Sequence, residues 1–272
     1  MLHEKLIIPR LETHVHHHCN LKCDNCNHFS NYGIKSNEIA ASDYETWNKP
    51  WSKKLIPKVY QLCGGEPTLN TNLAEICSLS RQIWTKSKIL LVTNGFFLHK
   101  HKQLPQILQD NKIKLVVSVH DNSIEYQKKL DVIKSLIATW LESFSFEIDY
   151  RESYSSWFKT FKVNENNQTV PYADNKPNLS YSNCLSKNAK QIFNGLIYKC
   201  PPLAYLNLVN EKFKLSKDWD FYLNYKPLEP NCTQQELKAF FSLESESYCN
   251  MCAANPEKYK KPDPLVQIKT NF

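Results

Sequence analysis

Short apolar runs alternate with longer amphipathic segments between about residues 13 and 150. The apolar runs predict buried strands, and the segments with apolar positions three or four residues apart predict helices. Alternation of this kind is typical of an α/β fold in which helices join parallel strands. The predicted strands are Thr13–Cys19, Pro57–Cys63, Lys88–Thr93, Lys114–His120 and Phe144–Tyr150. The predicted helices are Ser42–Lys54 with Ser42 as N-cap, Asn70–Trp84, His99–Asp110 and Ser123–Leu141.

The pattern changes after about residue 151, where the chain becomes polar and aromatic with weak periodicity. A hairpin is predicted at Gln191–Cys200 about an Asn194-Gly195 turn, and a helix at Thr233–Leu243. We therefore expect a first domain of residues 11–152 and a small second domain of residues 153–260. So few elements bury little apolar surface, and a bound metal would stabilise such a domain.

Three cysteines lie within eight residues, at Cys19, Cys23 and Cys26. Three thiolates can hold three irons of a [4Fe–4S] cluster and leave the fourth iron open to a small molecule. A zinc site with His18 or His28 as fourth ligand fits the same spacing. The triplet alone leaves both metals open.

Several polar or glycine-rich segments follow directly after predicted strands. They are Cys19, Gly64-Gly65-Glu66, Asn94-Gly95 and His120. In parallel sheets, ligands bind at the carboxyl ends of the strands, so these residues are predicted to lie along one edge. Taken alone, Gly64-Gly65-Glu66-Pro67 is equally well explained as a tight turn.

Composition narrows the function classes. The net charge is +7, but the lysines are scattered, so no nucleic-acid partner is expected. No apolar run is long enough for a membrane span or a signal peptide, which favours a cytoplasmic protein. Ten cysteines in a cytoplasmic protein indicate metal or redox chemistry rather than disulfides. The chain has only five glycines, and none of them forms a G-x-G-x-x-G or Walker pattern, which argues against nicotinamide or ATP chemistry.

The Cys-x3-Cys-x2-Cys triplet, followed by Gly64-Gly65-Glu66-Pro67, resembles the radical S-adenosylmethionine superfamily. Thr93-Asn94-Gly95 after the third strand and Ser118 in the fourth match further motifs of that superfamily. The resemblance covers roughly residues 11 to 150. It implies a partial (β/α) barrel of five or six parallel strands.

The resemblance also implies roles for these residues. Cys19, Cys23 and Cys26 would ligate a [4Fe–4S] cluster whose open iron chelates S-adenosylmethionine. Gly64, Gly65 and Glu66 would bind the methionine amine, and Asn94 and Ser118 the ribose and carboxylate. An external donor such as flavodoxin or ferredoxin would supply the electron. One departure is Asn25, because this position is often aromatic in the superfamily.

Four further cysteines, Cys184, Cys200, Cys249 and Cys252, suit a second, fully ligated [4Fe–4S] cluster. A zinc ribbon on the same four residues and unconnected core cysteines are the alternatives. The order resembles the twitch domain, a truncated relative of the SPASM domain, and Cys232 can replace any one of the four. Cys63 and Cys77 are interpreted as core cysteines.

His120 and Arg151 are the predicted substrate contacts, with a solvated arginine as the alternative for Arg151. His14, His16, His17 and His18 are interpreted mainly as hydrogen-bonded, partly buried histidines, and a pair near the substrate is the alternative. The favoured function is radical oxidation of a polar small molecule, anionic or carbohydrate, such as a sugar or aminocyclitol, by a dehydrogenase-type oxidoreductase. The alternatives are a peptide- or protein-modifying enzyme, a sugar epimerase, and a non-enzymatic iron–sulfur or zinc redox sensor.

Overall fold

The main sheet contains seven strands in a computed structural model of the chain. The structure describes residues 4–34, 38–153, 158–166 and 168–258, together with the backbone of residues 266–268. Its strands are β1 (Leu6–His16), β3 (Leu55–Gly64), β4 (Lys88–Thr93), β5 (Ile113–Val119), β6 (Ile148–Glu152), β9 (Lys190–Phe193) and β10 (Leu196–Tyr198). Two small pairs lie apart from it: β2 (Leu21–Cys23) with β11 (Val266–Ile268), and β7 (Lys162–Val163) with β8 (Thr169–Val170).

The strand order is β10-β9-β1-β3-β4-β5-β6, and all neighbours are parallel except the β9–β10 hairpin. This mostly parallel arrangement confirms the predicted α/β fold class. Strand β4 has the predicted bounds, whereas β1 begins at Leu6 and ends at His16. The register with β3 shifts between His14 and His16, and beyond His16 the His16 and His18 carbonyls accept hydrogen bonds from the Gly65 and Glu66 amides.

Eight α-helices are described: α1 (Ala41–Ser52), α2 (Leu73–Ile83), α3 (Leu104–Asp110), α4 (Ile124–Leu141), α5 (Pro177–Ser182), α6 (Pro201–Phe213), α7 (Asp220–Leu223) and α8 (Gln234–Ser242). Helix α1 begins one residue before Ser42 and its N-cap position is Ala40, so the predicted Ser42 cap is wrong. Helix α4 does begin after Ser123, whose hydroxyl accepts from the Tyr126 amide. Among the described residues, no helix is long and apolar enough to cross a bilayer.

The predicted hairpin forms as β9 and β10, and its turn residues Asn194 and Gly195 both have positive φ. Strand β9 pairs in parallel with β1, so this hairpin extends the main sheet. The Trp51 indole of α1 donates to the Gly195 carbonyl at 2.8 Å. The division into domains at residues 152 and 153 stays a prediction.

Two hydrophobic clusters fill the described part of the chain. The larger lies between the main sheet and helices α1 to α4, and includes Trp51, Tyr60 and Leu115. The smaller surrounds α6 and contains Tyr205 and Trp219, together with Phe29 and Ile34 from the segment after the cysteine triplet. The smaller cluster therefore holds the triplet loop against the C-terminal half of the chain.

Candidate metal and cofactor site

The cysteine triplet follows β1, and the end of β3 packs directly beneath it. The Gly65 amide donates to His16 O at 2.8 Å, and the Glu66 amide to His18 O at 3.0 Å. A Cβ on Gly64 would lie 2.2 Å from His16 O, and one on Gly65 would lie 2.3 Å from His17 O. Both glycines are therefore required for the close approach of two backbone segments, since any side chain would collide with main-chain atoms.

Backbone and amide donors surround the sulfurs of the triplet. The Leu21 amide donates to Cys19 Sγ at 3.3 Å, and Asn94 Nδ2 approaches the same sulfur at 3.9 Å. Burial raises the pKa of the Cys26 thiol, while hydrogen bonds from the amides of residues 28 to 31 lower it. Burial and the other two thiols of the triplet raise the pKa of Cys23. Donors of this kind are what buried thiolates and cluster sulfurs need.

Glu66 is fully buried at the end of β3 and connects it to the end of β4. Its Oε1 accepts from the Thr68 amide at 2.9 Å, from the Thr68 hydroxyl at 2.5 Å and from the Thr93 hydroxyl. Its Oε2 accepts from the Asn94 amide at 2.7 Å. Burial raises the pKa of Glu66, and these hydrogen bonds lower it. The carboxylate thus fixes the turn of Thr93 and Asn94.

Asn94 and Ser118 line the large cavity beside the triplet. Asn94 Nδ2 donates to Asn20 Oδ1 at 2.8 Å, which orients the amide between β4 and the triplet loop. Ser118 Oγ lies 2.6 Å from Ser153 Oγ, across the ends of β5 and β6. Gly64 and Gly65 also line this cavity, whereas Glu66 lies behind its wall.

The two predicted substrate contacts lie on the same cavity. His120 follows β5, and its Nδ1 is 3.8 Å from Cys23 Sγ. Burial lowers the pKa of His120 to about 4, so the ring is neutral at pH 7. Arg151 lies on β6 opposite Ser118, and its side chain is exposed. Its charge reaches the barrel interior, where it lowers the pKa of Glu12 against the dominant effect of burial.

The four C-terminal cysteines come together. Cys184 follows α5, Cys200 precedes α6, and Cys249 and Cys252 lie at the turn after α8. All four line a small cavity of about 40 Å³. Burial raises the pKa of Cys200 to about 12, and the charges of Cys184 and Cys249 contribute to this rise. Cys232 lies elsewhere, with its Sγ 3.9 Å from Lys54 Nζ.

Two buried lysines lie beside this second cysteine group. Lys190 on β9 acts electrostatically on Cys184, Cys200 and Cys249, and Lys199 acts on Cys249. Lys199 Nζ also lies 3.5 Å from a Glu246 carboxylate oxygen. Buried ammonium groups offset the negative charge that ionised thiolates would bring into this region. Neither lysine was predicted from the sequence, although Lys199 directly precedes Cys200.

One cavity of about 560 Å³ separates the two cysteine groups. Cys19, Cys23 and Cys26 line one side, and Cys184, Cys200 and Cys252 line the other. Buried oxygens of Asn31 and Gln61 in its wall have no hydrogen-bond partner among the described residues. Such orphaned polar atoms, together with two sets of thiols, fit a polar ligand next to thiolate-bound metal groups.

Asn25, the departure from the superfamily motif, connects the triplet loop to the C-terminal half. It adopts a φ of 56°, a left-handed conformation that asparagine tolerates. Its side-chain and main-chain oxygens accept from the Thr160 amide and hydroxyl at 3.1 and 3.0 Å. Asn27 Nδ2 similarly donates to Ser186 Oγ at 2.9 Å. His28, considered above as a fourth zinc ligand, directs its Nδ1 to His14.

No family model matches the chain. A curated GTP 3′,8-cyclase from Aquifex aeolicus (strain VF5) is 31% identical over 135 residues, which cover 48% of this chain and 41% of that protein. The chain thus matches less than half the length of this relative. The sequence match supports the resemblance drawn from the motifs.

Among solved structures, BtrN in complex with AdoMet and 2-DOIA is 15% identical and covers 94% of this chain and 98% of its own, with a TM-score of 0.49. Native anSMEcpe with bound AdoMet is 15% identical and covers 86% of this chain and 96% of its own, with a TM-score of 0.43. At these identities and TM-scores, the two likenesses carry no argument about activity.

Proposed function

We propose that this chain is a radical S-adenosylmethionine enzyme of dehydrogenase type. It would generate a 5′-deoxyadenosyl radical and oxidise a polar small molecule such as a sugar or aminocyclitol. The observation that carries the proposal is the shared cavity, which has the triplet and the strand-end residues on one side and the second cysteine group on the other. Its volume of about 560 Å³ falls in the range of small-molecule sites.

The donor sets fit two iron–sulfur clusters and one S-adenosylmethionine. When bound, these groups supply one-electron chemistry that produces a carbon radical and then accepts the second electron of the oxidation. The first cluster is assigned to Cys19, Cys23 and Cys26, and the second to Cys184, Cys200, Cys249 and Cys252 in a twitch-type domain. The cofactor-binding residues are assigned as Gly64, Gly65, Glu66, Asn94 and Ser118. Glu66 acts here through the turn it fixes, with its carboxylate behind the cavity wall.

His120 and Arg151 complete the cavity wall near the triplet. His120 is neutral at pH 7 and lies against Cys23, so it offers the cavity an uncharged imidazole. Arg151 offers a fixed positive charge that suits an anionic group or the hydroxyl of a sugar. Ser118 also lines the cavity and offers a hydroxyl.

The layout resembles 2-deoxy-scyllo-inosamine dehydrogenase, which oxidises a secondary alcohol on an aminocyclitol. The electron would come from an external donor such as flavodoxin or ferredoxin. A cytoplasmic location suits ten cysteines without a disulfide among the described residues, and neither a nucleic acid nor a membrane is proposed as a partner.

Anaerobic reconstitution tests the enzyme class. The full chain, treated with iron and sulfide, should hold about eight irons, as two [4Fe–4S] clusters require. Added S-adenosylmethionine and a reductant should then yield 5′-deoxyadenosine, and Cys23→Ala should abolish this product. One zinc per chain and no 5′-deoxyadenosine would contradict the proposal and favour the redox-sensor alternative.

The electron-acceptor role is tested by Cys184→Ala with Cys232→Ala as matched control. Cys232 lies beside Lys54 and outside the second cysteine group. We expect Cys184→Ala to keep S-adenosylmethionine cleavage and lose oxidation of sugars and aminocyclitols, and the control to keep both. Unchanged oxidation in Cys184→Ala would refute this role. Turnover of peptides alone would favour the peptide-modifying alternative.

A further inference from the structure

Three side chains to which the proposed function gives no role converge in the barrel interior. His14, His28 and Cys63 each place one ligand atom within 4.8 Å of the other two. His14 on β1 and Cys63 on β3 are direct neighbours in the parallel register. His28 reaches them from the segment after the triplet, with its Nδ1 in contact with His14 Nε2.

The surroundings hold these groups in place. The buried His14 ring stacks on Tyr205, with ring centroids 4.0 Å apart and an angle of 18° between the planes. Its other nitrogen, Nδ1, lies 3.4 Å from His17 Nδ1. Metal-bound histidines characteristically donate the second ring N–H to an acceptor, which orients the ring, and the His17 ring nitrogen lies where such an acceptor is needed.

A buried carboxyl group lies next to the thiol. Glu12 Oε2 is 4.0 Å from Cys63 Sγ and accepts from Gln191 Nε2 at 2.7 Å. Tyr205, which stacks on His14, donates its hydroxyl to the other end of the same Gln191 side chain at 3.0 Å. The three groups are thus tied into one network that includes an acidic side chain, and a cation at this point would favour its ionised form.

The group of His14, His28 and Cys63 lies at the wall of the large cavity. His28 and Cys63 line that cavity, whereas His14 lies behind them. A cation held by these groups would have protein ligands on one side and the cavity on the other. Zinc sites with three protein ligands and one open position are the catalytic kind.

We infer that His14, His28 and Cys63 bind a single zinc ion at the wall of the large cavity. Two imidazoles and one thiolate are a donor set that zinc prefers, and the Cys63 thiol releases its proton to solvent on binding. The two ring nitrogens must separate to about 3.4 Å, as two ligands at 2.0–2.1 Å from a tetrahedral ion do. This inference does not depend on the proposed function.

Zinc content of the iron-reconstituted full chain tests the site. The protein is equilibrated anaerobically with excess zinc, desalted and measured by mass spectrometry of both metals. We expect about one zinc per chain in addition to the iron, and at least a five-fold loss of zinc in Cys63→Ser and in His28→Asn. Iron content and 5′-deoxyadenosine formation report separately on the proposed function, so the two can fail independently.

Matched controls exclude adventitious binding. Cys77→Ser removes another buried thiol on α2, and His16→Asn removes a histidine outside the group; both should keep the zinc. Circular dichroism checks that each variant is folded. Wild-type protein with no zinc, or equal zinc in Cys63→Ser and Cys77→Ser, would overturn the inference.

X-ray absorption at the zinc edge of the wild-type protein needs no variant. The expected first shell has nitrogens at about 2.0 Å and a single sulfur at about 2.3 Å. A shell of four sulfurs would assign the zinc to the second cysteine group and would also overturn the inference.

Discussion

Individual residues at the ends of β1, β3 and β4 determine how closely the backbone segments of the site approach each other. Gly65 does not have a positive φ, so the backbone conformation does not require a glycine there; the lack of room for a Cβ atom does. Glu66 collects donors from Thr68, Thr93 and Asn94 on one carboxylate. The amides of both residues also donate to carbonyls of the segment that leads into the triplet loop.

Gly65→Ala should destabilise the fold and reduce iron incorporation. The new Cβ would lie 2.3 Å from His17 O and 2.4 Å from His18 O, and main-chain atoms cannot move aside easily. We expect a loss of about 1–3 kcal/mol, as for overpacking of a core, measured by denaturant unfolding.

Gly195→Ala is the comparison. Its Cβ would meet nothing closer than Trp47 Cδ1 at 3.5 Å, and only its positive φ of 77° is unfavourable. It should lower the free energy of unfolding by about 1–2 kcal/mol, the penalty for an L-residue in the left-handed region, and leave the iron content unchanged. A Gly65→Ala protein with wild-type stability and iron would contradict the steric explanation.

Glu66→Gln should destabilise the fold although the two side chains have the same shape. The glutamine has one acceptor oxygen, and its NH2 group would face a backbone N–H or hydroxyl that now donates to the carboxylate. We expect a loss of about 2–3 kcal/mol in unfolding free energy and weaker formation of 5′-deoxyadenosine. Thr68→Val, which removes one hydroxyl donor, should cost about 1 kcal/mol. Equal stability of Glu66→Gln and wild type would refute the role of the carboxylate.

At the level of elements, the β9–β10 hairpin connects the main sheet to the second cysteine group. Strand β9 pairs with β1, and the segment after β10 leads directly to Cys200 and α6. Lys190 at the start of β9 is buried, and burial lowers its pKa, while nearby thiols raise it. The hairpin thus brings a positive charge from the sheet to the cysteines.

If the proposed second cluster is bound, Lys190→Met should make it harder to reduce, because a neighbouring positive charge favours the extra electron. The expected result is a more negative midpoint potential in a redox titration followed by electron paramagnetic resonance. Lys238→Met on the exposed face of α8 is the control and should leave the potential unchanged. A shift to more positive potential would contradict the electrostatic role of Lys190.

In the molecule as a whole, two cysteine-bearing halves enclose one cavity and are joined across it. Asn25 and Asn27 of the triplet loop bond to Thr160 and Ser186 of the C-terminal half. The same region contains several buried histidines on and after β1, and the partly buried His120 after β5. Protonation of these histidines would place positive charge in the interior, so the stability of the fold should depend on pH.

The metal-free chain should lose stability between pH 6.5 and about 4. Burial lowers the pKa of His17 to about 3 and that of His120 to about 4. Because their pKa values are lower in the folded state, the unfolded chain binds more protons in this window. The stability that the two neutral histidines contribute is fully present above pH 6.5, and it is lost as the pH falls towards their pKa values in the folded state.

Each pKa unit of difference corresponds to about 1.4 kcal/mol per histidine, so the loss should reach several kcal/mol. Urea unfolding at pH 7 and pH 4.5 measures it, and His17→Gln should reduce the slope. Replacement of the exposed His99 should leave the dependence of the unfolding free energy on pH unchanged. A free energy of unfolding that stays constant over this range would contradict the prediction.

The sequence by itself determined the α/β alternation, strand β4 to the residue, the β9–β10 hairpin and the set of thiols, because periodicity, turn chemistry and cysteine spacing are local signals. It did not determine that β9 joins β1, that Lys190 and Lys199 accompany the second cysteine group, or that His28 turns to His14. Those contacts join residues far apart in the chain, and only the packing of the sheet brings them together. The same holds for Gly64 and Gly65, whose role as space for the His16–His18 backbone is visible only when the two strand ends meet.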